Sequence, residues 1–194
     1  MQKSEEVVKK SIGLFIVILA FSVTGFAKKE SWPEMSVFHM KSKWKNEDGK
    51  DFQLKDFGGT PTVFAMVYTS CKHTCPMITS KVAQVQSQLP EKLKGKVQLA
   101  LISFDPEQDT PENLNKYKKK RKLGKEWTLL TGTESGIRQL AAVVGVNYKK
   151  EKSGDFSHSN IVTLLDQNGE VVEQVKDLSK KTDKMSAKII ELLK

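Results

Sequence analysis

Two unbroken apolar runs stand out along the chain, TVFAMVYT at 62–69 and VQLALISF at 97–104, each of strand length and without the alternation of a half-solvated strand. That pattern predicts strands buried on both faces. Between them Ile78, Val82, Val85 and Leu89 recur at helical spacing, so the order is strand, helix, strand. A second helix is predicted from Thr110 to about Lys122, with Thr110 as N-cap, Pro111 at the first helical position and Leu114 and Tyr117 on its inner face. Trp127–Leu130 reads as a third strand. Ile137, Leu140, Ala141 and Val144 mark a helix closed by Gly145. IVTLLD and EVVEQV flank Gln167, Asn168 and Gly169 as a hairpin, and Met185, Ile189, Ile190 and Leu193 give a last amphipathic helix. Upstream, short β patterns between Met35 and Phe57 flank the turn Asn46–Gly49.

Alternating strands and helices followed by a hairpin and a helix predict an α/β fold, a thioredoxin-like sandwich with an added N-terminal β-hairpin. At 194 residues the chain supports one core and not two. Ahead of it Lys3, Lys9 and Lys10 precede the apolar run Ile12–Phe26, and Gly25 and Ala27 place small residues where a cut after Ala27 requires them. Residues 1–27 therefore read as a secretory signal peptide or, if uncleaved, a membrane anchor, since the run is near the lower limit of roughly 17 residues for a span. Residues 28–34 are a short linker and 35–194 the domain. Either way the domain is expected outside the cytoplasm, in the periplasm or at the extracytoplasmic face of a membrane.

Lys and Arg number 32 against 23 Asp and Glu, a net charge of +9, and the domain stays strongly basic without residues 1–27. The densest blocks are Lys116–Lys122 (KYKKKRK) and Lys149, Lys150 and Lys152. An exported chain without an aromatic readout motif is not expected to bind nucleic acid. Solvated helix faces account for such blocks, and a functional role would be to steer the domain toward anionic lipid or an acidic partner.

Only two cysteines occur, Cys71 and Cys75, directly after the first buried strand and before Pro76. A strand-to-helix junction converges backbone N–H groups that favour thiolate over thiol. A spacing of four can bring both sulfurs to one side of a turn, to share a metal or form a disulfide. As a staple such a bridge would contribute only roughly 2 kcal/mol, so redox or metal chemistry is the better reading.

VYTSCKHTCPMIT, SFDPEQDTPENL and DFSHSNIVTLLDQNGEVV together resemble the Sco/SenC family, copper-binding thioredoxin-like proteins of cytochrome c oxidase assembly. The resemblance implies that Cys71, Cys75 and His158 bind copper. It also implies delivery to the binuclear copper centre of oxidase subunit II or another exported cuproprotein, with reduction of that centre's cysteines as a second task. Two thiolates and an imidazole form a soft set suited to Cu(I), and to Cu(II) with added oxygen ligands; zinc also fits such donors. His73 is expected to point away from both sulfurs, His39 to lie on the surface, and Met77 to pack beside the helical core stripe. Asp105, at the end of the second strand, either tunes the metal from behind its ligands or, as the better reading, makes local turn bonds like Asp109. Tyr68 reads as a packing residue. A metallochaperone, rather than an enzyme, is the first expectation. A thiol-disulfide oxidoreductase, a peroxiredoxin-like redox protein and a purely structural module are the alternatives; the first of these needs the cysteines and no histidine.

Overall fold

The structure is a computed structural model, and it describes residues 31–194. The signal peptide or anchor expected at 1–27 and linker residues 28–30 lie outside these residues. Among the described residues no helix is long and apolar enough to cross a membrane.

The chain enters through a 3₁₀ turn at Val37–His39, then forms the short strands β1 (Trp44–Asn46) and β2 (Asp51–Phe52). The hairpin is present, but the rest of the Met35–Phe57 segment is irregular, with a second 3₁₀ turn at Leu54–Phe57. Next come β3 (Thr62–Val67), α1 (Thr74–Ser87), the single turn α2 (Glu91–Lys94), β4 (Gln98–Ser103), α3 (Pro111–Lys120), β5 (Trp127–Gly132) and α4 (Glu134–Val143). A small separate hairpin, β6 (Tyr148–Lys150) and β7 (Phe156–His158), precedes β8 (Val162–Leu165), β9 (Val171–Val175) and α5 (Asp183–Leu192).

Seven strands make one sheet in the order β2-β1-β5-β4-β3-β8-β9. β3 runs parallel to β4, with Ala65 opposite Leu101, and β4 parallel to β5, with Leu101 opposite Leu129; β8 is antiparallel to β3. Every residue of β3 is buried, so both faces of the sheet must be covered. Two successive right-handed crossovers place α1 and α3 on the same face, where the Thr79 and Tyr117 hydroxyls meet at 3.1 Å. α5 joins them, its Ser186 Oγ donating to the Val85 carbonyl on α1. α4 is the remaining long helix, and its inner residues Ile137, Leu140 and Ala141 cover the other face.

Local chemistry fixes these boundaries. The Thr110 side chain accepts the Asn113 N–H and Pro111 occupies the first position of α3, as the sequence predicts. Gly132 lies opposite Trp44 in the β1–β5 pairing; a Cβ there would come within 2.5 Å of the indole, so only glycine lets that large buried ring lie on the sheet. The added hairpin is held by Glu47, a buried carboxylate that accepts from the Lys118 ammonium on α3 and from the Leu129 N–H on β5. Pairing a buried charge twice in this way is what makes its burial tolerable.

Candidate metal centre

The loop from Tyr68 to His73 joins the C-terminal end of β3 to α1, the edge at which open α/β sheets bind ligands. Cys71 lies in this loop, its N–H 3.4 Å from the Tyr68 carbonyl. Cys75 is the second residue of α1, and its N–H, among the helix-terminal donors without an intrahelical acceptor, donates to Cys71 Sγ at 3.4 Å. Cys71 is 7% exposed and Cys75 fully buried, so only the first sulfur is reached from solvent. Both are free thiols.

That difference in burial separates their acidities. Burial opposes ionisation of Cys71, but the Cys75 and His73 N–H groups, the Thr74 hydroxyl and the Cys75 thiol outweigh it and lower the pKa to about 7. Burial pushes the Cys75 thiol well up, and the neighbouring Cys71 adds to the effect. A reactive thiolate is therefore set against a thiol that stays protonated until something draws its proton away.

His158 arrives from β7, 83 positions after Cys75. Its Nδ1 is 3.1 Å from the Ser159 carbonyl oxygen, which can only accept, so Nδ1 carries the proton and Nε2 turns its lone pair to the cysteines. Nε2 lies 3.7 Å from Cys75 Sγ and 3.3 Å from Thr74 Oγ1. The two sulfurs and the imidazole nitrogen all lie within 4.8 Å of one another. Bonds of about 2.3 Å to sulfur and about 2.0 Å to nitrogen, opened to a trigonal angle, separate the donors by about 3.7 Å. The Cys75–His158 distance has that value, so the site needs little movement to close on one soft ion.

Aromatic side chains hold the histidine from behind. Its ring centroid is 5.2 Å from Phe104 and 6.0 Å from Tyr68, and Phe104 stacks on Tyr148 at 5.1 Å. The Tyr68 hydroxyl accepts the Phe156 N–H at 3.5 Å, and burial raises its pKa to about 12, so it remains a neutral phenol. Tyr68 is thus a packing residue that also anchors the His158 hairpin.

Sequence reasoning missed two supports of the site. Thr74, between the cysteines, reaches both Cys71 Sγ (3.7 Å) and His158 Nε2; a small hydroxyl at the first helical position inside the CxxxC spacing was the available signal. Asp109 does not make the local turn bonds expected of it. Its carboxylate is buried and accepts from the Thr69 N–H at 2.9 Å, the Thr69 hydroxyl, and Ser103 Oγ at 2.6 Å, clamping the start of the cysteine loop to the end of β4. Burial raises its pKa against the pull of those donors. Asp105 bonds to none of the three site residues; its backbone carbonyl accepts the Gln108 and Asp109 N–H groups, and burial, with Asp109 nearby, raises the pKa of its carboxyl. His73 is exposed at the N-cap of α1 and His39 is exposed with Nε2 on the Pro33 carbonyl, both as expected. Met77 is not packed in the core: it is 57% exposed, because the buried stripe of α1 runs through Cys75, Ile78, Thr79, Val82 and Val85 and position 77 falls outside it.

A thioredoxin-like sheet with a dithiol and an imidazole converging at the end of a central strand defines a class of protein, one that handles soft metals or thiol chemistry. The SCO1/SenC family model matches residues 35–194, and the chain belongs to that family. A SCO1 homologue from Bacillus subtilis is 28% identical over 137 residues, covering 67% of this chain and 69% of the relative. For a Stutzerimonas stutzeri relative, 27% identical over 128 residues, the match spans 62% of the relative's length. Among solved structures, a SCO1/SenC family lipoprotein from Bacillus anthracis superposes with a TM-score of 0.71 at 29% identity, covering 78% of this chain and 92% of the other. Bradyrhizobium japonicum ScoI with copper bound gives a TM-score of 0.63 at 26% identity, covering 78% and 96%.

Proposed function

We propose that this protein is an exported copper carrier. It holds one copper ion between Cys71, Cys75 and His158 and delivers it to the binuclear copper site of cytochrome c oxidase subunit II. The observation that carries the reading is the convergence of two sulfurs and an imidazole nitrogen within 4.8 Å, a donor set matched to Cu(I). The copper-bound ScoI relative supports it, as does the likeness to BsSco, a member of the Sco family of cytochrome c oxidase assembly proteins. Export rests on the lysine-flanked apolar run of residues 12–26 and the small residues before a cut after Ala27.

Loading proceeds from outside inward. Cu(I) meets the Cys71 thiolate first, the Cys75 thiol gives up its proton as its sulfur binds, and Nε2 of His158 closes the third position. Release reverses the order, with an acceptor's thiolates replacing the donor sulfurs one at a time while copper remains Cu(I). The histidine separates this reading from a dithiol reductase, which has no use for it.

The test is Cu(I) stoichiometry and affinity of the reduced protein in competition with a chelator. One equivalent should bind tightly, Cys71→Ser and Cys75→Ser should abolish tight binding, and His158→Ala should weaken it at least about tenfold. If His158→Ala binds as well as the parent, the site is a redox dithiol. Transfer to the reduced copper domain of oxidase subunit II then tests delivery, and no gain of copper by that domain would refute it.

A further inference from the structure

Beside the metal centre, the loop Thr69–Lys72 and α3 enclose a groove of about 560 Å³. It opens onto Cys71, the more exposed of the two thiols. Four cations line it, Lys72 on the cysteine loop, Lys116 and Lys120 on α3 and Arg121 at the C-cap of α3, and no acidic side chain does. Arg121 is held with its guanidinium 5.4 Å from the centre of the Tyr117 ring, and that ring is anchored in turn by the Tyr117–Thr79 bond. Only Lys116 has a carboxylate partner among the described residues, the exposed Glu112 one helical turn earlier at 2.7 Å. Exposed pairs of that kind are weak and yield readily to a competitor. The groove is thus a concave wall of uncompensated positive charge beside the sulfur where copper enters and leaves.

The geometry points to this groove as the docking surface for an acidic segment of the copper-accepting protein, an inference that rests on the copper-delivery reading and names the chemistry of its partner. A cleft of one sign of charge focuses field lines and raises encounter rates with an oppositely charged partner by about tenfold or more. Here the attraction also sets register, because a segment lying along α3 brings its own thiolates to the Cys71 edge of the site. A lipid surface is a poorer occupant. Membrane-binding faces pair their cations with exposed apolar side chains, whereas the large exposed apolar residues among the described residues are Met35, Met77, Val143 and Val171, none of them in the groove. A stacked nucleic acid base has no platform either, since Tyr117 is buried.

The test uses the full chain and two synthetic probes. One is a fluorescent cysteine-free peptide rich in Asp and Glu, with its Asn and Gln counterpart as control; the other is the same acidic sequence carrying two cysteines, to accept Cu(I). The protein variants are Lys116→Glu/Lys120→Glu/Arg121→Glu in the groove and, for an equal change of net charge elsewhere, Lys92→Glu/Lys96→Glu/Lys181→Glu. The parent should bind the acidic peptide and not its neutral counterpart, with affinity falling as salt rises. The groove variant should bind at least about tenfold more weakly and show slower copper transfer, with its Cu(I) affinity unchanged; the control variant should differ from the parent by less than about twofold. Equal losses in both variants would reduce the effect to net charge and overturn the proposal. It is overturned equally if the groove variant loses binding to phosphatidylserine vesicles while keeping the peptide, which would make the surface a membrane contact. Peptide binding is read without copper, so a parent that binds the peptide through the groove but holds no Cu(I) would refute the copper reading and leave the acidic docking surface standing.

Discussion

β3 and the β6–β7 hairpin bring their ligands to the same point by opposite means. β3 lies in the interior of a seven-stranded sheet, every residue buried, with parallel β4 on one side and antiparallel β8 on the other. β6 and β7 are three residues each, form a sheet of their own, and expose Lys149, Lys150 and Ser157. The cysteine loop is therefore placed by the cohesion of the whole core. His158 is placed by a few aromatic contacts, with Tyr68 and Phe104 reaching across from the ends of β3 and β4. A ligand held on a weakly anchored hairpin is free to move while the other two stay fixed, which suits a site that must release its ion as well as bind it.

Damage to the two regions should therefore separate stability from metal affinity. The largest effect belongs to the sheet. Leu101, 1% exposed and paired with both Ala65 and Leu129, leaves a cavity when cut to alanine, and Leu101→Ala should lose about 3 kcal/mol in urea unfolding. The folded fraction should still bind one equivalent of Cu(I) with nearly parental affinity, because none of the ligands has moved. A collapse of copper affinity in folded Leu101→Ala would remove the distinction between the regions.

Asp109 joins the two levels. Removing its carboxylate leaves the Thr69 N–H and hydroxyl and the Ser103 hydroxyl without their acceptor, so Asp109→Ala should cost about 2 kcal/mol of stability. It should also loosen the loop that carries Cys71, seen as faster amide exchange at residues 69–73. Asp109→Asn, which keeps one acceptor oxygen, should lie between the two. Unchanged exchange in Asp109→Ala would show that the loop is held by something else.

The frame was legible in the sequence because burial writes itself into local pattern. The two unbroken apolar runs became β3 and β4, the stripe Ile78, Val82, Val85 and Leu89 became the buried face of α1 and the turn that follows it, and Thr110–Pro111 started α3. β6 and β7 were not legible: three-residue strands with lysines and serines outward carry neither period long enough to register. The tertiary reach of Asp109 was hidden for a related reason, since its partner Thr69 lies 40 positions away and nothing local distinguishes it from a turn carboxylate. The cysteine pair announced itself by spacing. His158 drew notice through family resemblance, while the aromatic shelf that aims it came only from the fold.

The hairpin gives a smaller effect of opposite character. Phe156 is half-buried, 5.1 Å from both Tyr68 and Phe104, and Phe156→Ala should cost only about 1 kcal/mol of stability, near the centre of the range for single substitutions. Its Cu(I) affinity should nonetheless fall at least about tenfold, because the ring packs against the shelf that orients His158. Phe156→Leu, which keeps much of the bulk, should recover most of that affinity. Chelator competition on the two variants, set beside Leu101→Ala, reads the comparison directly.

The subtlest expectation concerns protons within the cysteine loop itself. In the fold the Cys71 pKa is lowered to about 7 from an ordinary value of 9.0, so its contribution to stability is complete above the unfolded pKa and is lost as pH falls through about 7. Between about pH 7 and 9 the parent should become more stable relative to Cys71→Ser as pH rises, because the folded thiol has ionised and the unfolded one still holds its proton. Cys75 is shifted upward by burial, so its sign is reversed and its contribution stays constant across that window. Alkylation by iodoacetamide should accordingly modify Cys71 alone, its rate levelling off above about pH 7 as the thiolate fraction saturates. Copper binding should carry the same signature. Above about pH 7 only Cys75 has a proton to release, so apparent Cu(I) affinity should rise about tenfold per pH unit; below it both thiols must deprotonate, and the slope should steepen to about a hundredfold or more. A single slope through about pH 7 would mean that the two cysteines ionise alike and that the contrast in their burial has no chemical consequence.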